Sequence, residues 1–312
     1  MQTPELLFLK PYCREVIWGG TKLKELYGYE TGGDHTGEAW VVSANEEQQS
    51  LVTRGSFAGR GLWELWQERR DLFGNLPGEK FPLLVKVIDA NEHLSIQVHP
   101  DDPYARIHEN GALGKTECWY VLDCDEDADI VIGHTAATPD ELERMVAREE
   151  WEQLIQVLPL AKGDFFFVPA GTVHAIRKGT LLLEIQQNSD VTYRLYDYDR
   201  LQDGQPRELH LQQSLDVITC PHRPQATAGA VRHEDGYSHQ RLVSNAQFTV
   251  EKWDVHTELT LPQPHSFMTV SVLAGEGAVN GESLRRGDHF VAPYGCGDLH
   301  FEGQLSLITA HM

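Results

Sequence analysis

The stretch GDFFFVPAGTVHAI, residues 163–176, decides the fold. Gly163 opens a turn, the apolar run after it ends at Pro169, and Gly171 turns the chain back toward His174. The same order of residues returns at 287–295 as GDHFVAPYG. Each copy reads Gly-Asp, four residues, Pro, any residue, Gly, and two copies predict two related β-barrel units.

Short strand patterns surround the first copy: FPLLVKVI (81–88), HLSIQVHP (93–100), ECWYVLD (117–123), ADIVIGH (128–134), DFFFVPA (164–170) and TLLLEIQQ (180–187). Helical spacing is confined to about Ser56–Phe73 and Thr138–Val157, the second opened by Thr138 as N-cap with Pro139 in the first turn. Residues 200–240 carry little apolar periodicity and end in polar, Gly-rich sequence. The fold class expected is therefore mainly β, with a few helices, divided into residues 1–225 and a smaller unit at 226–312.

The chemistry-bearing residues gather in the first unit. Alternate side chains of a strand share a face, so Gln97 and His99 point one way while Ile96 and Val98 point the other. Glu117 opens a strand 18 residues after His99, and His174 follows the Pro169-x-Gly171 turn. Two imidazoles, a carboxylate and a side-chain amide suit a divalent transition metal, with zinc favoured where a position stays open for water or substrate; iron, manganese or cobalt would also accept these ligands. Lys115, two residues before Glu117, is expected on the same strand face. In the second copy the position matching His174 is Asp298, and SVLAGEGAVNG (271–281) holds no histidine, so that unit is expected to be metal-free.

Composition narrows the partners. Forty-seven acidic residues against 26 basic ones leave a formal charge of −21, which repels a nucleic-acid backbone and makes any Lys or Arg beside the metal informative. Five cysteines without a CxxC pair suggest reduced thiols. The N-terminus lacks the features of a signal peptide and no segment reaches membrane-spanning apolar length, so a soluble cytoplasmic protein without membrane or nucleic-acid partners is expected. The sequence specifies no oligomeric state.

The string Gly163-x5-Pro169-x-Gly171-x2-His174 resembles the second signature of the cupin superfamily, and QVHP with a later Glu resembles the first. These resemblances imply that the two units are cupin-type, or jelly-roll, barrels. With IWGG (17–20), GEAW (37–40), QVHPDD, GKTECWY, PAGTVHAI and LLEIQQNSDVTYRLYDYDR in this order, nearly the whole chain resembles the short bacterial form of the type I mannose-6-phosphate isomerases. The resemblance implies one Zn²⁺ per chain on Gln97, His99, Glu117 and His174, and an active-site arginine at Arg194. Lys86, Lys115 and Glu184 match positions where that family keeps polar active-site groups. It also implies a small phosphorylated sugar as substrate: mannose 6-phosphate and fructose 6-phosphate would interconvert through a cis-enediol. The long eukaryotic and enteric forms differ, with lysine where Asp102 stands and His-Lys-Pro-Glu where Gly114–Glu117 stands.

Arg194 suits oxyanion or phosphate recognition, although Asp190, Asp197 and Asp199 are also candidate salt-bridge partners. Solvated strand-edge positions are the competing reading for Lys86 and Lys115. Glu184, inside the apolar run LLLEI, is costly to bury unpaired and so should face a pocket or a cation. Other readings are a sugar-binding cupin that keeps its metal without turnover, an iron-type cupin dioxygenase, for which two histidines are few, and an isomerase of free mannose.

Overall fold

Alternation at period two builds the sheet that carries the site. In the strand Thr180–Gln187, Leu181, Leu183 and Ile185 enter one apolar core, while Leu182 enters another on the opposite face together with the row that includes Glu184. Every residue of this strand is buried, because packed layers cover both faces. The computed structural model describes residues 3–202, 204–225 and 228–312.

Thr180–Gln187 lies inside a six-stranded sheet in the order Phe165–Val168, Glu117–Cys124, Thr180–Gln187, Leu83–Ala90, Tyr12–Gly20, Thr36–Val42. A five-stranded sheet runs Tyr193–Tyr196, Ile96–Val98, His174–Ile176, Asp129–His134, Ile155–Pro159. Trp119, Val121 and Leu182 of the first meet Ile130, Ile132 and Ile176 of the second in one core, which makes the pair a sandwich. The expectation of a mainly β architecture holds.

A ten-stranded sheet forms the C-terminal part, and its interior is filled by Phe290, Phe301, Leu307, Met268 and neighbours. Phe267, Val291 and Ile308 on its other face pack against Val85, Val87 and Leu183 of the six-stranded sheet. The N-terminal strand Leu7–Lys10 pairs antiparallel with His289–Pro293, so the first strand of the chain is built into the last sheet.

The internal repeat is structural. Gly163 and Gly287 both adopt positive φ, at 92° and 86°. Gly163 N–H donates to Val121 O and Val121 N–H to Asp164 O; in the second copy Gly287 N–H donates to Val272 O and Val272 N–H to Asp288 O, all at 2.9 Å. This correspondence sets Val272 opposite Val121, and counting back along both strands sets Met268 opposite Glu117. A buried methionine thus stands where the first unit has a carboxylate, and Asp298 is exposed.

The helical expectations need correction. Residues 56–59 form a turn, with Gly59 at φ 84°, and Gly61 bridges Leu51 as an extended N-cap, so the helix is only Leu62–Glu68, followed by a 3₁₀ turn at Arg70–Phe73. Pro139–Ala147 starts as expected, with the Thr138 hydroxyl accepting from Glu141 N–H at 3.2 Å, but Glu149 at φ 56° stops it. After a single turn at Trp151–Leu154, the segment read as the end of a helix becomes the strand Ile155–Pro159.

Candidate active site

Two rows of side chains face each other across the sandwich. On the six-stranded sheet, strand pairing puts Trp40 opposite Lys86, Lys86 opposite Glu184, and Glu184 opposite Trp119. Cross-strand partners share a face, so these four form one row. On the five-stranded sheet Arg194 pairs with Gln97 and Gln97 with His174. Tertiary structure thereby collects residues from seven strands into one chamber of about 270 Å³.

The metal candidates converge behind Gln97 and Lys115, which line the chamber. His99 Nε2 lies 3.1 Å from His174 Nε2 and 3.6 Å from Glu117 Oε2, and His174 Nε2 lies 3.3 Å from Glu117 Oε1. Donors at about 2.0–2.1 Å from a tetrahedral ion are about 3.3 Å apart, so these separations fit three ligands of one metal. Both rings are oriented for it. His99 Nδ1 donates to Val191 O and His174 Nδ1 to Thr172 O, each at 2.8 Å, which turns both Nε2 lone pairs toward the same point. Burial, reinforced by the neighbouring Lys115 charge, holds both imidazoles neutral, His174 at about 4 and His99 also well below the ordinary value.

Two lone pairs directed at one another are repulsive unless a cation lies between them. Glu117 strengthens the case, because neither of its buried oxygens accepts a well-directed hydrogen bond. Burial pushes this carboxyl up to about 7 despite the nearby Lys115 ammonium, 2.9 Å from Oε2. Among the described residues, His99, Glu117 and His174 are the one group of three such side chains with ligand atoms close enough to share an ion. Gln97 Nε2 lies 3.3 Å from His174 Nε2, and Ser95 Oγ lies 3.3 Å from Gln97 Oε1. Turning the amide over directs its oxygen at the metal position and its NH₂ at Ser95.

Lys115 reaches both His99 Nε2, at 3.2 Å, and Glu117. Burial works against its charge, but Glu117 and Glu184 outweigh that and hold the ammonium above the ordinary lysine value. Lys86 Nζ lies 3.4 Å from Glu184 Oε2 and over the Trp40 ring. Neither lysine is a solvated edge residue. Glu184 Oε1 accepts from Trp119 Nε1 at 3.0 Å; Oε2 is buried and accepts no hydrogen bond. Against burial, Lys115 and Lys86 hold this carboxyl below the ordinary value.

Arg194 also lines the chamber. Its Nη1 donates to Glu208 O at 2.8 Å, and its buried Nε has no partner. The ion pair considered with Asp197 does not form: that carboxylate receives Arg200 and Arg207 instead. Sequence reading missed Arg14, Arg207 and Trp119 as parts of the site. For Trp119 a signal existed, since it lies two residues after Glu117; Arg207 carried none.

A family description for the catalytic domain of type I phosphomannose isomerase matches residues 6–132, and one for the cupin domain of mannose-6-phosphate isomerase matches residues 238–312. The chain is 48% identical over 317 residues to mannose-6-phosphate isomerase ManA of Bacillus subtilis (strain 168), covering 99% of this chain and all of the relative. It is 45% identical to a mannose-6-phosphate isomerase of Streptococcus mutans, with 98% of each covered. The crystal structure of the mannose 6-phosphate isomerase from Bacillus subtilis superposes with a TM-score of 0.96 at 43% identity, over 99% of this chain and 100% of that one. A phosphomannose isomerase variant from Salmonella typhimurium shares the fold, with a TM-score of 0.81 at 16% identity over 99% of both chains.

Proposed function

We infer the reaction from the premise that the chain belongs to the type I phosphomannose isomerase family, with its cupin-type fold. It is an aldose–ketose isomerase with a metal cofactor, and its substrate is a phosphorylated sugar, mannose 6-phosphate, converted to fructose 6-phosphate. The observation that carries the metal is the pair of facing Nε2 lone pairs beside a buried carboxylate whose oxygens accept no well-directed hydrogen bond.

Zinc is our assignment, one ion per chain, on His99, Glu117 and His174 with Gln97 as a further ligand. The donor separations and the neutral imidazoles support it. When bound, the ion supplies positive charge that favours oxyanion character on the sugar oxygens next to the reacting carbons.

The rest belongs to the chain's own side chains. Isomerisation moves a proton between C2 and C1 through a cis-enediol, and a group that carries it must be rigid and able to accept. Glu184 meets both conditions: Trp119 fixes Oε1, and Oε2 is left without a hydrogen bond. Lys86 holds that carboxylate ionised, and Lys115 offers an ammonium to an oxygen acquiring negative charge near Glu117. Arg194, with Nε unpartnered, offers a fixed donor to a sugar oxygen that gains negative charge.

We also propose the division into residues 1–225 and 226–312, supported by separate family matches on either side of it; among the described strands Leu7–Lys10 pairs across it and brings Leu51–Val52 into the same sheet. Cytoplasmic residence is a proposal supported by five free cysteines, and among the described residues no helix is long and apolar enough to cross a membrane. A coupled assay of fructose 6-phosphate formation, before and after chelation and after zinc is restored, tests the whole reading. Activity should vanish with the metal and return with it; activity that survives complete metal removal overturns it.

A further inference from the structure

The outer half of the chamber holds an excess of positive charge that the steps above do not use. Asp197, almost fully buried, accepts from Arg207 Nε at 2.7 Å and also from the Arg207 and Arg200 Nη2 groups. One carboxylate therefore faces two guanidiniums. From the opposite wall, on the strand Tyr12–Gly20, Arg14 approaches Glu38 and Asp190 only loosely, at 3.6 and 3.8 Å. In a chain with a formal charge of −21, such a cluster at a cavity wall is a site prepared for an anion.

Position says which anion. Arg14 and Arg207 both line the inner chamber and also the wider vestibule of about 530 Å³ that adjoins it. Gln97, Lys115 and Glu184 belong to the chamber alone, so the two arginines stand at its outer end, away from the metal position. A sugar phosphate reacting at C1 and C2 carries its phosphate at the other end of the carbon chain. Seated with its reacting carbons between Glu184 and the metal ligands, it extends its phosphate toward this end.

We propose that Arg207 and Arg14 clamp the substrate's phosphate from opposite walls of the chamber mouth, with Asp197 as the positioning residue that aligns Arg207. The assignment rests on the phosphorylated-sugar reading above. Asp197 occupies the Nε and Nη2 edge of Arg207 and leaves Nη1 for the ligand. The weakly held Arg14 can exchange its two carboxylates for a phosphate without breaking a close hydrogen bond.

The test compares mannose 6-phosphate with free mannose, and adds inorganic phosphate as a probe, on the zinc-loaded full chain and the variants Arg207→Ala, Arg207→Lys, Arg14→Ala and Asp197→Asn. Losing one charged contact should raise KM for mannose 6-phosphate by at least about tenfold in Arg207→Ala and Arg14→Ala. The loss in kcat/KM should be much larger for the phosphorylated sugar than for mannose, and Arg207→Lys should recover part of it. Asp197→Asn should act on KM more than on kcat. Equal losses on both sugars would reduce these residues to structural supports and overturn the proposal. If Arg207→Ala does not fold, Arg14→Ala, on the exposed wall, decides the matter alone. Thermal stabilisation by inorganic phosphate reads the site without turnover. Its loss in the arginine variants upholds the clamp even if isomerase activity is absent, and its persistence rejects the clamp even if activity is present.

Discussion

A carboxylate oxygen buried without a well-directed hydrogen bond is the feature on which the site depends, and Glu117 presents two of them, with the Lys115 ammonium 2.9 Å from Oε2. Replacing Glu117 by Gln keeps the size and removes the charge that balances a cation. We expect metal content, measured by atomic emission on dialysed protein, to fall from about one ion per chain to a small fraction, because removing a charged ligand costs more than the 10–100-fold affinity loss typical of its supporting contacts. Retention of stoichiometric metal would exclude Glu117 as a ligand. Trp119→Phe tests a different element of the site: it removes the donor at Glu184 Oε1 but no metal ligand. It should lower kcat roughly tenfold, as expected for one hydrogen bond to a charged group, while metal content stays at wild type. At this scale much was legible. Period-two alternation put Gln97 and His99 on one face, and Lys115 beside Glu117, because a strand offers its side chains no other choice. Arg207 was not legible, since its role depends on Asp197 selecting it over Arg194.

Between the strands, the segments that deliver Lys115 and the ligands are locked together by backbone contacts. Asp102 Oδ1 accepts from Gly114 N–H at 2.7 Å and from Gln187 Nε2 at 3.0 Å, and Gln187 Oε1 in turn accepts from Thr116 N–H at 3.0 Å. Gly114 must be glycine here: a Cβ would stand 2.5 Å from both Asp101 C and Asp102 N. Gly114→Ala should therefore cost about 2 kcal/mol in urea unfolding and weaken metal binding, as the segment carrying Lys115 and Glu117 moves. Unchanged stability and metal affinity would show that the two backbones are free to separate. Strands carrying the chemistry were readable, with Thr180–Gln187 at its expected bounds. The helices were overestimated for a physical reason. Apolar spacing at three and four fits a short helix followed by a partly exposed strand as well as one long helix, and the left-handed backbone at Gly59 and Glu149 decides between them.

At the scale of the molecule, a buried polar tie joins the segment after the helix Lys22–Tyr27 to the ten-stranded sheet. His289 accepts or donates at 2.8 Å to Tyr29 Oη on one side and Ser271 Oγ on the other, and burial depresses its pKa to about 3. Between that value and the ordinary histidine pKa of about 6.5 the unfolded chain binds the extra proton, so stability rises with pH across this window and is lost as pH falls through it. His289→Gln should therefore flatten the dependence of unfolding free energy on pH between about 6.5 and 4, where the group alone contributes a slope of up to about 1.4 kcal/mol per pH unit. Parallel curves for the two proteins would remove His289 from this role. Metal binding couples to the same fold. Zinc at about a hundredfold its Kd should stabilise the protein by about 2.7 kcal/mol, and Glu117→Gln should lose most of that gain.

The sequence by itself determined the repeated strand–turn grammar and the mainly β class. It also determined the faces on which Gln97, His99 and Glu117 stand, since each follows from steric rules acting over a few residues. Tertiary structure decided the rest. It brought Trp40, Lys86, Glu184 and Trp119 into one row across four strands and set that row opposite Arg194, Gln97 and His174. It also built Leu7–Lys10 into the final sheet. Register between strands distant in sequence is fixed by the packing of whole faces, and no local pattern encodes which distant face will be met.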